Sequence, residues 1–318
     1  MKHLISLKEQ SKADILDILD IAVKLKEKRK NGEITEYLKH KTLIMMFQKT
    51  STRTRLSYEA AMTELGGHGI FLDTHTTQFS MTDFGDEIQA VMRLGDALMF
   101  RALQVSDVNK AASYNSIPVI DGCSEKYHPS QALSDLLTMF EHSGGLDKIK
   151  KVVWLGIENN VSNTLMLVCV KLGINFFIVA PEVDASSVDE ELNKQAENTG
   201  LVTRTLDLKL ALTDADYVHT DTWMNMEFFS SGKLKPEFKN KFEERKNKFA
   251  QYQLSANLID KYANSAKIMH CMPCHIGYEI TRDAIDHTNS IIFDQVENRL
   301  HMQKAMLLWL FGYDKNNV

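Results

Sequence analysis

Apolar positions along this chain alternate between two spacings. Short continuous apolar blocks at Leu43–Phe47, Ile70–Leu72, Ala97–Arg101 and Pro118–Ile120 predict buried strands. Apolar residues at helical spacing predict helices near Thr54–Leu65, Asp86–Leu94, Val105–Tyr114 and Pro129–Glu141. An earlier helix opens at Ser11, whose capping box closes with Asp14, and runs to about Lys30. Its apolar face is Ile15, Leu16, Leu19, Ala22 and Leu25. Strands and helices taken in turn predict an α/β fold, with a parallel sheet covered on both faces.

The alternation breaks at Ser143–Lys150, around Gly144 and Gly145, and then restarts. Strands are expected at Val152–Leu155, Phe176–Val179, Tyr217–His219, Ile268–His270 and Ile291–Phe293, with a final helix from Val296 to about Phe311. The pattern therefore predicts two doubly wound domains. Residues 1–142 form the first and residues 143–295 the second, with residues 296–318 as a closing helix. The stretch Phe228–Tyr252 departs from the pattern, being polar and Lys-rich with Glu237, Glu243 and Glu244 interleaved. It reads as a solvated helical excursion laced with charge pairs. Its start beside Asp221–Trp223 also admits a mobile lid.

Composition narrows the class. The net charge of −5 lacks the basic footprint that nucleic-acid binding needs. No apolar run reaches membrane-spanning length, and the N-terminal apolar run is too short for a signal peptide, so a cytoplasmic protein is expected. Four cysteines in 318 residues suggest reduced thiols. Cys271, Cys274 and His275 fit the haem-attachment spacing, but no export signal accompanies them, and no second Cys/His pair completes a zinc site. A redox pair would want its first cysteine at a helix start, whereas a strand leads into Cys271.

The most informative turn is Ser51–Arg55, between a predicted strand and a predicted helix. A helix N-terminus offers unpaired N–H groups and a positive dipole end. Ser51 or Thr52 can cap it. Arg53 and Arg55 add planar forks that match phosphate oxygens. Arg101 ends a strand, at the edge where open α/β sheets place ligands. His128 precedes a helix-starting Pro129 and so lies in a loop. Asn159 and Asn160 follow a strand and suit either helix capping or a ligand. Asp221 and Cys271 each close a predicted strand.

These segments resemble the aspartate and ornithine carbamoyltransferase family. The resemblance rests on Phe47–Ser57, on His128–Gln131, on Asp221–Trp223, on His270–Pro273 and on Glu297–Arg299, which occur in the family's order from about Leu43 to Leu310. It implies that Ser51, Thr52, Arg53 and Thr54 hold the phosphate of carbamoyl phosphate, with Gln78 as a further contact from the Gln78–Asp86 loop. It assigns Arg101 to the phosphate and the carbonyl oxygen, and His128 to that oxygen in an oxyanion-hole role. Gln131 and the backbone of Cys271 and Met272 would hold the carbamoyl NH2, and Arg299 would reach the carbamoyl oxygen. Asn160 would meet an amino-acid carboxylate and Asp221 its α-ammonium. Asn225 and Met226 belong to the same amine motif, and Cys271 would take the proton that the side-chain ammonium must lose. The last helix is implied to cross back onto the first domain, and the assembly to be a homotrimer or a multiple of trimers.

The implied reaction moves a carbamoyl group from carbamoyl phosphate to a small amine, with ornithine as acceptor and citrulline as product. No metal and no organic cofactor is implied, and no membrane or nucleic-acid partner. Two departures stand out. Asn225 and Glu227 replace the serine and glycine of the ornithine motif, and Gln78–Asp86 diverges from the usual acidic loop. The first leaves putrescine as a rival acceptor. The second leaves a non-catalytic anion-binding paralogue open.

Overall fold

The computed structural model describes every residue except 225–227 and 231–232, with Ser80 and Ser230 described by backbone alone. The chain divides into two compact units. One holds residues 1–138, 163–168 and 297–318; the other holds 139–162 and 169–296.

The first unit begins with helix α1 (Lys12–Lys30). Ser11 caps it and accepts from the Asp14 N–H, while the Asp14 carboxylate accepts from the Ser11 N–H, a complete capping box. Strand β1 (Thr42–Phe47), helix α2 (Thr52–Glu64), strand β2 (His68–Asp73), helix α3 (Phe84–Met92), strand β3 (Ala97–Arg101), helix α4 (Val105–Ser113), strand β4 (Val119–Asp121) and helix α5 (Pro129–Ser143) follow. The sheet order is β2-β1-β3-β4 and all pairs are parallel. Phe47 lies opposite both Asp73 and Arg101, so three strand ends share one edge. One apolar core joins Ile44, Met46, Leu98, Phe100 and Val119 to Ile88 and Val108 of the flanking helices. Burial at this scale is the main favourable term of the fold.

After α5 the chain continues through strand β5 (Lys151–Glu158), helix α6 (Asn160–Lys171, whose residues 163–168 belong to the first unit), strand β6 (Asn175–Val183), helix α7 (Glu190–Glu197), strand β7 (Val202–Arg204), helix α8 (Leu208–Leu212) and strand β8 (Tyr217–Thr220). Two short antiparallel strands, β9 (Phe229–Ser230) and β10 (Lys233–Leu234), precede helices α9 (Lys239–Phe249) and α10 (Ala256–Tyr262). Strand β11 (Lys267–His270), helix α11 (Arg282–Ile285) and helix α12 (Ile292–Leu310) close the chain. The sheet order is β11-β8-β5-β6-β7, parallel throughout. Its central strand β5 is buried along nearly its whole length, as a strand covered on both faces must be. No described helix is long and apolar enough to cross a membrane.

The structure departs from the pattern-based expectation at Ile291–Phe293. Only an isolated bridge pairs Ile268 with Ser290, and the apolar residues then open α12. A short apolar run fits a strand or a buried helix turn equally well, and here Ile292 packs into the core of the second unit as part of a helix. The Lys-rich stretch also has an inward face that its composition does not show. Phe242, Arg245 and Phe249 of α9 are buried, and its ion pairs run from Arg245 and Lys248 to Glu182 of β6.

Candidate active site

In the first unit, Ser51 has extended backbone and its hydroxyl accepts from the Thr54 N–H at 3.4 Å, so Ser51 is the cap of α2. Thr52 is exposed at the first helical position, and Arg53 is half-buried one residue on. Arg55 is committed elsewhere, stacked 3.7 Å over the Phe71 ring and paired with Glu59 at 3.0 Å. The Thr54 side chain is buried, and its hydroxyl accepts from Arg299 Nη2 at 2.9 Å. Arg299 Nη1 donates to Gln131 Oε1 at 2.8 Å, and Gln131 Nε2 donates to Asp135 at 2.8 Å. Three motif segments far apart in sequence thus meet at one guanidinium. Arg299 can only donate and a carboxylate only accepts, so the Gln131 amide has a fixed polarity between them.

Arg101 ends β3 and donates from Nη1 to the Gly122 carbonyl at 3.2 Å. Its Nε is buried with no hydrogen-bond partner among the described residues, a donor suited to an anionic oxygen. Gly122 is required beside it, because a Cβ there would stand 2.3 Å from Met99 Sδ and 3.2 Å from Arg101 N. His128 is buried, its N–H held by Thr164 Oγ1 at 3.0 Å and its ring 3.4 Å from Ser130 Oγ. Gln78 is exposed on the loop after β2 and forms no hydrogen bond to this cluster among the described residues. The candidate residues of this unit are cationic in character: Arg53 lies in the first turn of α2, Arg101 ends β3, and Arg299 meets Gln131 and Thr54.

The second unit is built on carboxylates. Asp221 follows β8 and is buried. Its Oδ2 accepts from Asn159 Nδ2 at 2.8 Å, and its Oδ1 from the Thr222 N–H at 2.7 Å and from Cys271 Sγ at 2.9 Å. Asn159 also caps α6, its Oδ1 accepting from the N–H groups of Val161 and Ser162. Capping therefore belongs to Asn159, and Asn160 is the first helical residue. Gly156, at φ +127°, makes the turn possible, since a Cβ would press within 3.0 Å of the Trp223 indole nitrogen. Asn225, Met226 and Glu227 lie outside the described residues.

Behind Cys271, His270 is fully buried, its Nε2 3.4 Å from Glu279. Glu279 accepts from the His275 N–H, and His275 Nδ1 lies 2.9 Å from Thr222 Oγ1. Burial alone would raise Glu279, but His270 and His275 outweigh it and hold the carboxyl down at about 2. Met272 has φ +54°, and its N–H donates to His270 Nδ1 at 2.8 Å. From the Lys-rich segment, Arg245 donates to the Trp223 carbonyl at 2.7 Å and pairs with Glu182, tying α9 to the loop after Asp221. The donors of Asp221, His270 and Cys271 lie within 4.8 Å of one another, a set chemically able to hold a zinc ion. Each already serves a protein partner, as the hydrogen bonds above show.

Sequence reasoning did not single out Asp135, Asn159 as the ligand of Asp221, Glu279 or Arg245. Only Asp135 left a readable signal, one helical turn after Gln131 on the same face. The others act across the fold.

One unit gathers arginines at a helix N-terminus and the other a carboxylate beside a thiol. That is the equipment of a group-transfer enzyme taking an anionic donor and a cationic acceptor. Residues 2–141 match the carbamoyl-P binding domain of aspartate/ornithine carbamoyltransferase, and residues 148–310 match its Asp/Orn binding domain. The chain belongs to the aspartate/ornithine carbamoyltransferase family. An ornithine carbamoyltransferase from Archaeoglobus fulgidus is 38% identical over 98% of both chains. The solved structure of ornithine carbamoyltransferase from Pyrococcus furiosus is 36% identical, with a TM-score of 0.88 over 98% of both chains. That of the anabolic enzyme from Campylobacter jejuni is 31% identical, with a TM-score of 0.85 over 98% of this chain and 99% of its own.

Proposed function

We propose that this protein transfers the carbamoyl group of carbamoyl phosphate to the side-chain amine of ornithine, releasing citrulline and phosphate. The observation that carries the acceptor half is Asp221, a buried carboxylate fixed by Asn159 beside the Cys271 thiol. A buried carboxylate suits an α-ammonium, and Asn160 at the start of α6 suits the α-carboxylate. A diamine such as putrescine would leave the carboxylate contact unmet.

The donor half is assigned to residues 1–142 with 296–318, and the acceptor half to 143–295. Ser51, Thr52, Arg53 and Thr54 hold the phosphate. Arg101, His128 and Arg299 stabilise the carbonyl oxygen as it gains charge. Gln131 and the Cys271–Met272 backbone hold the carbamoyl NH2. Cys271 accepts the ammonium proton, so the amine attacks neutral. We further propose a homotrimer, or a multiple of trimers, in the cytoplasm, which sedimentation of the purified protein would test. The deciding experiment is an acceptor panel with carbamoyl phosphate in excess. Citrulline formation with a kcat/KM for ornithine well above that for putrescine is expected. The reverse order overturns the ornithine reading.

A further inference from the structure

We propose that Asp121 is a positioning residue for carbamoyl-phosphate binding, its carboxylate holding the turn that fixes Arg101 on one side and His128 on the other. The inference rests on the reading of Arg101 and His128 as donor-substrate ligands. Asp121 ends β4 and is fully buried. Its Oδ1 accepts from the Cys123 N–H at 2.8 Å, and its Oδ2 accepts from Ser124 Oγ at 2.5 Å. Cys123 has φ +117°, a conformation that a non-glycine residue keeps only when its surroundings hold it there.

Two arms leave this turn. Gly122, beside Asp121, accepts from Arg101 Nη1. Ser124 Oγ accepts from the N–H groups of Lys126 at 3.4 Å and Tyr127 at 3.3 Å, the two residues that lead into His128. One carboxylate therefore anchors both approaches to the carbonyl-oxygen site. Its carboxylate accepts from the Cys123 N–H and the Ser124 hydroxyl, so it acts through the turn.

The charge state of Asp121 decides the polarity of this hub. An ionised Asp121 only accepts, so Ser124 donates to it and keeps its lone pairs for the Lys126 and Tyr127 N–H groups. A protonated Asp121 donates to Ser124 and competes with those N–H groups. Burial pushes the Asp121 carboxyl up to about 7, against the bonds from Ser124 and the Cys123 N–H. The groups that face it are the Cys123 thiol, the Lys49 ammonium from the turn after β1, and the Tyr58 hydroxyl of α2, itself pushed up by burial.

The test compares the full-length wild type with Asp121→Asn, measuring KM for carbamoyl phosphate and for the amine across neutral pH. The wild type should lose carbamoyl-phosphate affinity as the pH falls through about 7. Asparagine donates to Ser124 at every pH, so the variant should be flat, with a KM raised on the order of three- to tenfold, and should leave the amine KM unchanged. Superimposable profiles for the two proteins overturn the proposal. If Asp121→Asn does not fold, Ser124→Ala removes the hub while keeping the carboxylate, and an unchanged carbamoyl-phosphate KM there overturns it as well. Calorimetry with inorganic phosphate separates this inference from the proposed reaction. Weaker phosphate binding by the variant supports Asp121 even where the wild type carbamoylates no amine. Equal phosphate affinity in the two proteins counts against it.

Discussion

The two candidate-site clusters of this chain are built on opposite charges. The first unit concentrates guanidinium groups and ties them to neutral oxygens: Arg299 to Gln131 and Thr54, and Arg101 to the Gly122 carbonyl. Those partners orient the forks and carry no formal charge themselves. The second unit does the reverse. Asp221 is held by an amide, a backbone N–H and a thiol, none of them a fixed cation. Where the same unit places a cation, at Arg245, it neutralises it with Glu182 and uses it to hold the backbone. The candidate site charges are oriented by neutral groups, whereas the scaffold charge at Arg245 is paired.

The largest effect should come from the cationic half. Arg53→Ala should lower turnover by ~10²–10³, the usual loss when a preorganised charge contact is removed, and should leave the fold intact. Near-wild-type kcat in a folded variant would break the contrast between the halves. Asp221→Asn comes next. Its effect should fall on the amine, raising that KM by roughly 5- to 150-fold as one buried partner is lost, while the carbamoyl-phosphate KM moves little. Equal shifts in both constants would show that the halves are not separable in the way drawn here.

The smallest effect concerns stability and sharpens the second half alone. Glu279 is held below its ordinary carboxylate value, at about 2 against 4.5. A depressed carboxyl contributes stability that is fully present above about 4.5 and lost as the pH falls toward 2. Glu279→Gln should flatten urea-unfolding midpoints across that window relative to the wild type. An identical acid profile would mean that Glu279 contributes nothing through its charge.

Much of this was legible before the fold was. The strand-to-helix turn at Ser51–Thr54, the loop position of His128 and the strand ends at Arg101 and Asp221 all stand where the apolar pattern places them. Such features are local, set by period, capping and turn chemistry. The pattern failed where local signals are ambiguous: Ile291–Phe293 reads as a strand, and the three-residue β7 left no signal strong enough to see. The Lys-rich stretch is helical and mostly exposed as its composition suggests, but its inward face of Phe242, Arg245 and Phe249 is set by tertiary packing that the composition does not show.

By itself, the sequence determined the alternation of strands and helices, hence the parallel sheets, and the edge at which ligand chemistry collects. It also carried the motif residues that bear the charges. Only the tertiary structure decided what each of those residues touches. Arg299 meets Thr54 from 245 positions away, and Cys271 meets Asp221 from 50. The reason is physical. Secondary structure follows from interactions within a few residues, whereas the polarity of an amide, the ionisation of a buried carboxyl and the freedom of a guanidinium depend on groups brought near only when the chain has folded.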